Sequence, residues 1–175
     1  MRRIIYVEDT YGEGFHRKIL EKLKKVGLVA SSLNPRVERL PAGKCNTALR
    51  RKVLAKAAAA SGAALKVVFV VDSEGNPEAP YSAVLRHFEE APLVVSAKVV
   101  SVDPRHEAWL CIGLGGDRRG CRVSPEEVLS RLRRTRYESK RYLEEWANGI
   151  EVRYLLNEPD FRSYLECLGW LSEDP

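Results

Sequence analysis

The sequence predicts an α/β protein, with a mainly parallel sheet, helices on both faces and a helical extension at the C-terminal end. Three observations carry this reading. Val67 to Val71 is a run of five apolar residues, four of them β-branched, which suits a strand buried on both faces. Ile4-Ile5-Tyr6-Val7 repeats the plan, and each run leads directly into acids, Glu8-Asp9 in one case and Asp72-Ser73-Glu74 in the other. Up to about residue 102 the segments alternate as βαβαβαβ, the order that builds a parallel sheet.

Each element has a local reason. Residues 3–7 form the first strand, and Gly12 and Gly14 mark a turn before a helix that runs to about Val26. Phe15, Ile19, Leu23 and Val26 recur at helical spacing, and Gly27 ends the run. Asn34-Pro35 breaks the chain before a short strand over Val37 to Leu40. Asn46 or Thr47 can cap a second helix whose buried stripe is Leu49, Val53 and Ala57. The strand at 65–71 follows Ser61-Gly62. A turn-rich loop from Glu74 leads to a helix over about Pro80 to Glu90, then to a strand over Leu93 to Val102 with a polar interruption at Ser96 to Lys98.

Beyond Pro104 the chain turns helical. His106 to Leu114 reads as a short helix and Gly113 to Gly120 as a basic loop. Ser124-Pro125-Glu126-Glu127 carries a capping box with proline at the first helical position. Past the densely basic stretch Arg131 to Arg141 the chain continues as helix with Tyr142, Leu143 and Trp146, and a last helix begins near Asn157 with Phe161, Tyr164, Leu165 and Leu168 on one face. The expected organisation is an α/β core over residues 1–112 and a helical extension over 113–175 packed on the same domain.

Composition narrows the class. With 175 residues, 45% hydrophobic and 30% charged, the chain can bury one real core. No apolar run approaches the roughly 20 residues of a membrane helix, and only four apolar residues separate the N-terminal arginines from Glu8, so no signal peptide and a cytoplasmic location are expected. A net charge of +5 is compatible with a polyanionic partner. The absence of glutamine, beside many Arg, Lys and Glu, is a thermophile's bias. Cys45, Cys111, Cys121 and Cys167 form no CxxC pair, so free buried thiols are expected rather than zinc ligands, with a disulfide open to a hyperthermophile. His16, His87 and His106 are dispersed and read as surface residues.

The acids carry the chemistry. Carboxylates crowded at the ends of neighbouring strands repel one another unless a cation neutralises them. Magnesium suits such a set because it takes oxygen ligands and uses one or two carboxylates. Solvated loop acids or helix caps are the alternative for any one of them. Ala42-Gly43-Lys44-Cys45 lacks the residues of a P-loop, although Lys44 can still meet a phosphate. Gly113-Leu114-Gly115-Gly116 lacks the third glycine of a dinucleotide fingerprint.

Val7-Glu8-Asp9 and Asp72-Ser73-Glu74 together resemble the TOPRIM domain of topoisomerases, bacterial-type primases and overcoming-lysogenization-defect nucleases, over roughly residues 3–112. That family ends its first strand on a glutamate, commonly followed by glycine, and a later strand on Asp-x-Asp. Here Asp9 replaces the glycine and Glu74 the second aspartate, whose extra methylene moves the carboxylate by roughly 1.5 Å, a shift catalytic geometry tolerates poorly. Glu107-Ala108-Trp109-Leu110 is similar to small standalone members. The resemblance implies a Rossmann-like sheet and a magnesium site, manganese being an alternative, made by Glu8, Asp72 and Glu74, with Glu8 as general acid, general base or ligand. Glu13 matches a second acid of the nuclease relatives with one residue of slippage, and Glu107 is a further ligand or a structural helix residue.

The expected partner is nucleic acid, DNA or RNA. Arg118, Arg119 and Arg122, then Arg133 and Arg134 among a dense basic run with Tyr137 and Tyr142 interleaved, suit phosphate contact and base stacking. A solvated face compensated by Glu126, Glu127, Glu138, Glu144 and Glu145 is the competing reading. The function expected is a magnesium-dependent nuclease. A non-catalytic nucleic-acid-binding or scaffolding module is the alternative, a phosphate-handling enzyme on a small molecule ranks below both, and a homodimer is allowed.

Overall fold

Four parallel strands in the order β2-β1-β3-β4 form the sheet: β1 (Arg2–Val7), β2 (Arg36–Arg39), β3 (Leu65–Asp72) and β4 (Val95–Val102). This is a computed structural model, which describes residues 2–40, 48–59, 64–88 and 95–173. β3 is central, and all eight of its residues are buried, as its β-branched run requires. It pairs with β1 (Ile4 with Val67, Val7 with Val70) and with β4 (Asp72 with Val102). The expected α/β class is what the chain adopts, and the sheet expected to be mainly parallel is parallel throughout the described residues. The two acid-tipped strands are neighbours.

Helices cover both faces. α1 (Thr10–Lys25) and the C-terminal helices α4 (His106–Gly113), α5 (Arg118–Val123), α6 (Pro125–Arg133), α7 (Arg141–Trp146) and α8 (Pro159–Ser172) share one apolar core with Ile5, Val7, Val68, Val70 and Val100. α2 (Ala48–Ala58) and α3 (Ala79–Leu85) close the other face around Tyr6, Phe69 and Val71. From β1 the chain crosses to β2 on one side and then back past β1 to β3 on the other. The switch point of this doubly wound order lies between β1 and β3, where open α/β sheets form a ligand crevice at the carboxyl ends of the strands. The extension is no appendage, since α8 also takes the Lys66 ammonium of β3 on its terminal carbonyls, Trp170 O at 2.8 Å and Glu173 O at 2.9 Å.

Several local expectations are corrected. α1 starts before the two glycines, because Asp9 caps it by accepting the Gly12 N–H at 2.8 Å. Gly14 instead lies within α1 against α7, where a Cβ would meet the Glu144 side chain. α3 stops at Leu85 rather than near residue 90, and the proposed caps Asn46 and Thr47 lie outside the described residues. β4 runs unbroken through Ser96 and Lys98, which are exposed on a strand that among the described residues pairs with β3 alone. The basic loop runs into α5, which is capped by Asp117 through the Gly120 N–H at 2.6 Å. α6 begins at Pro125 as expected, but Ser124 makes no side-chain capping bond. Cys111 and Cys121 are joined in a disulfide with Cα atoms 5.6 Å apart, while Cys167 is free and buried. The histidines are not on the surface: His16 is fully buried, and His87 and His106 nearly so.

Candidate functional site

The end of β3 delivers Asp72 to the switch point. Asp72 has the strand parity of Val68 and Val70, so it faces α4 rather than α2. It is 5% exposed, and its Oδ1 accepts two bonds from His106, from the backbone N–H at 2.9 Å and from ring Nδ1 at 2.5 Å. His106 is the first residue of α4, so the carboxylate also sits at a helix N-terminus, where negative charge is favoured. Behind it, His106 Nε2 lies 2.8 Å from His16 Nε2, and His16 Nδ1 lies 3.0 Å from the Tyr164 hydroxyl. Four elements thus meet in one buried chain, Asp72–His106–His16–Tyr164.

The electrostatics follow from burial and contact. Burial opposes ionisation of Asp72, but the His106 charge and its hydrogen bonds outweigh this, with Lys140 assisting, and hold the carboxyl below its usual range. Burial likewise opposes protonation of His106, yet Asp72, Glu107 and Glu8 together raise its proton affinity. His16 goes the other way, pushed well below the ordinary histidine value by burial and then by the His106 charge. The pair therefore holds its positive charge on His106, and His16 is neutral.

A crevice of about 600 Å3 opens beside Asp72, lined also by Glu74, Arg105, Glu107, Tyr137 and Lys140. Glu107 is 2% exposed, and its Oε1 accepts from the Tyr137 hydroxyl at 3.0 Å. Its Oε2 is buried with no hydrogen-bond partner among the described residues, an arrangement that costs about 1–3 kcal/mol unless something binds there. Burial and then Glu107 raise the Tyr137 phenol, so it stays protonated and donates. Lys140 reaches Asp9 Oδ2 at 3.2 Å; burial lowers its proton affinity, but Glu107, Asp9 and Asp72 more than restore it. The ammonium is the counter-charge of the acids around it.

The predicted residues divide. Glu8 lies one residue past the end of β1, half-buried, close enough for its charge to act on the same imidazole that holds Asp72. Glu74 lines the crevice with φ at +52°, a left-handed conformation costing a non-glycine residue about 1 kcal/mol, and its N–H bonds Pro104 O at 2.9 Å. Glu13 is engaged elsewhere, with Oε1 on the Arg39 N–H at 2.7 Å and Oε2 on Arg17 at 3.1 Å. Among the described residues no three His, Cys, Asp or Glu side chains are already gathered as a metal-binding group. The donor set is nevertheless the hard-oxygen kind that magnesium and manganese take, and the orphaned Glu107 Oε2 fits it.

The basic residues divide as well. Arg122 bonds Asp160 Oδ1 at 2.8 Å and Oδ2 at 2.7 Å, Glu158 Oε2 at 2.6 Å and the Asp103 carbonyl. These partners raise its proton affinity against the cost of burial. Arg118 pairs with the other Glu158 oxygen. Arg119, Arg133 and Arg134 are exposed, Arg133 with its guanidinium 5.3 Å over the Trp146 ring, and Lys44 lies outside the described residues. Sequence reasoning missed His106, His16 and the placement of Lys140. The one available signal was position, since His106 opens the helix that follows the strand next to β3.

Fold and site together define a class: an α/β protein with a four-stranded, all-parallel sheet and an acidic crevice at the carboxyl end of β3. No family model, curated protein or solved structure matches the chain. Among the described residues no helix is long and apolar enough to cross a membrane.

Proposed function

We propose that this protein is a divalent-cation-dependent nuclease of TOPRIM type, acting on the phosphodiesters of DNA or RNA. One observation carries the reading: buried Asp72 and Glu107, the latter with an orphaned oxygen, share a crevice at the carboxyl end of β3 with Glu74 and Lys140. Asp72, Glu74 and Glu107 would hold magnesium or manganese, with Glu8 at the adjacent strand end. When bound, the ion supplies electrostatic stabilisation of charge on a phosphoryl group.

The chain's own residues do the rest. His106 holds Asp72 ionised and oriented. Tyr137 pins one oxygen of Glu107. Lys140, which bonds Asp9 at the rim of the crevice, would bring a positive charge to a substrate phosphate. Glu8 takes or gives the proton of the attacking water or leaving group, and the exposed Arg119, Arg133 and Arg134 meet flanking phosphates. Asp72→Ala should abolish magnesium-dependent cleavage of single- and double-stranded DNA and RNA with the circular dichroism spectrum unchanged. Full retained cleavage would remove the assignment.

A non-catalytic nucleic-acid-binding module is favoured by a different observation, that Lys140 already neutralises the acids and no metal-binding group is gathered among the described residues. Salt-dependent binding with no cleavage in magnesium or manganese would select it.

A further inference from the structure

Resting on the cation reading above, we propose that His106 is the positioning residue of the crevice, with His16 and Tyr164 as its support. Two N–H groups of His106 converge on a single oxygen of Asp72, which fixes both the carboxylate plane and its distance from α4. The ring is fixed in turn: Phe15 and Trp109 stand near edge-on to it, with centroids 5.9 Å away, and His16 holds its far nitrogen.

The hydrogen-bond pattern closes in two ways. With His106 charged, both its nitrogens donate, His16 accepts at Nε2 and donates from Nδ1 to Tyr164. With His106 neutral, its Nε2 accepts from His16, which accepts from the Tyr164 hydroxyl. Either pattern keeps the Nδ1 proton on Asp72, so the orientation survives a change of protonation. A merely structural cluster gains little from such an arrangement, because replacing a buried charged pair by apolar side chains is commonly neutral or stabilising. Holding a carboxylate at a switch point is a use that apolar packing cannot supply.

The test is manganese binding to the full chain, followed by electron paramagnetic resonance, alongside kcat and KM on a nucleic-acid substrate. Asp72→Asn, His106→Leu, His106→Gln and His106→Asn are compared. The asparagine amide can stand where Nδ1–H stands, whereas the glutamine amide reaches the Nε2 position. Asp72→Asn should lose manganese binding, and His106→Leu and His106→Gln should weaken it about tenfold, the factor for one hydrogen bond to a charged group. His106→Asn should return to within about threefold of the parent. Should His106→Leu fail to fold, the contrast between asparagine and glutamine carries the result. The proposal is overturned if His106→Gln binds manganese like the parent, or if His106→Asn is as weak as His106→Gln. If Asp72→Asn binds manganese normally, the cation reading falls and this inference with it. Loss at Asp72 with no effect at His106 removes only the inference.

Discussion

Replacing Arg122 by leucine is the sharpest perturbation this structure offers. Arg122 was expected to meet nucleic acid, but its guanidinium faces Glu158 and Asp160, whose side chains are only 2% and 10% exposed. Removing one partner of a buried ion pair costs about 3–5 kcal/mol, because the remaining charge is stranded. Arg122 is itself 21% exposed, so water can re-enter as the leucine withdraws, and the lower end, about 3 kcal/mol, applies. With a denaturant slope of about 2 kcal/mol/M, the urea midpoint should fall by about 1.5 M. Equilibrium unfolding followed by tryptophan fluorescence measures this. Adding Glu158→Gln and Asp160→Asn to Arg122→Leu should recover most of the loss, since no carboxylate is then left unpaired. A shift under about 0.3 M for the single variant would refute the reasoning and return Arg122 to the phosphate-binding residues.

Two further outcomes concern the crevice. Lys140→Met removes the counter-charge of Asp9, Asp72 and Glu107, so manganese affinity without nucleic acid should rise about fivefold while nucleic-acid binding weakens; unchanged manganese affinity would remove the cation from this cluster. His16 is held neutral in the fold and titrates near pH 6.5 when unfolded, so below that pH the unfolded state binds the extra proton. His106, raised in the fold, keeps its proton in the native state, so near pH 6.5 it opposes this slope, and only about a unit lower, where the unfolded ring is protonated too, does it add none. Stability in the presence of chelator should therefore fall as pH drops below about 6.5, with His16 contributing up to about 1.4 kcal/mol per unit. His16→Phe should make that limb shallower, leaving the share of His87, whose proton affinity burial, Arg86 and Arg50 also lower, and urea midpoints collected against pH for both proteins decide it.

The sheet was legible because its signals are local. The β-branched run of β3 and the acids ending it follow from consecutive residues, and strand adjacency follows from the alternation of elements. The site was legible only in part. Asp72 pairs with a residue 34 positions away, His16 with residues 90 and 148 positions away, and no periodicity records such pairings. An isolated histidine in a sequence looks the same whether it meets solvent or a buried carboxylate. α5 spans six residues, too few to display a helical repeat, and its cap and disulfide were hidden in what read as a glycine-rich loop. Arg118 and Arg122 looked like free cations because their acids arrive from α8.

The Cys111–Cys121 bridge joins α4 to α5 across the point where an α/β core would end and an extension begin. Around it, the crevice takes its floor from β3 and α4 and its opposite wall from Tyr137 and Lys140. Trimming the polypeptide back to its first 112 residues would therefore strip half the crevice and lay bare the sheet face beneath α8. Grafting this sheet onto another protein would have to carry the last third of the chain with it.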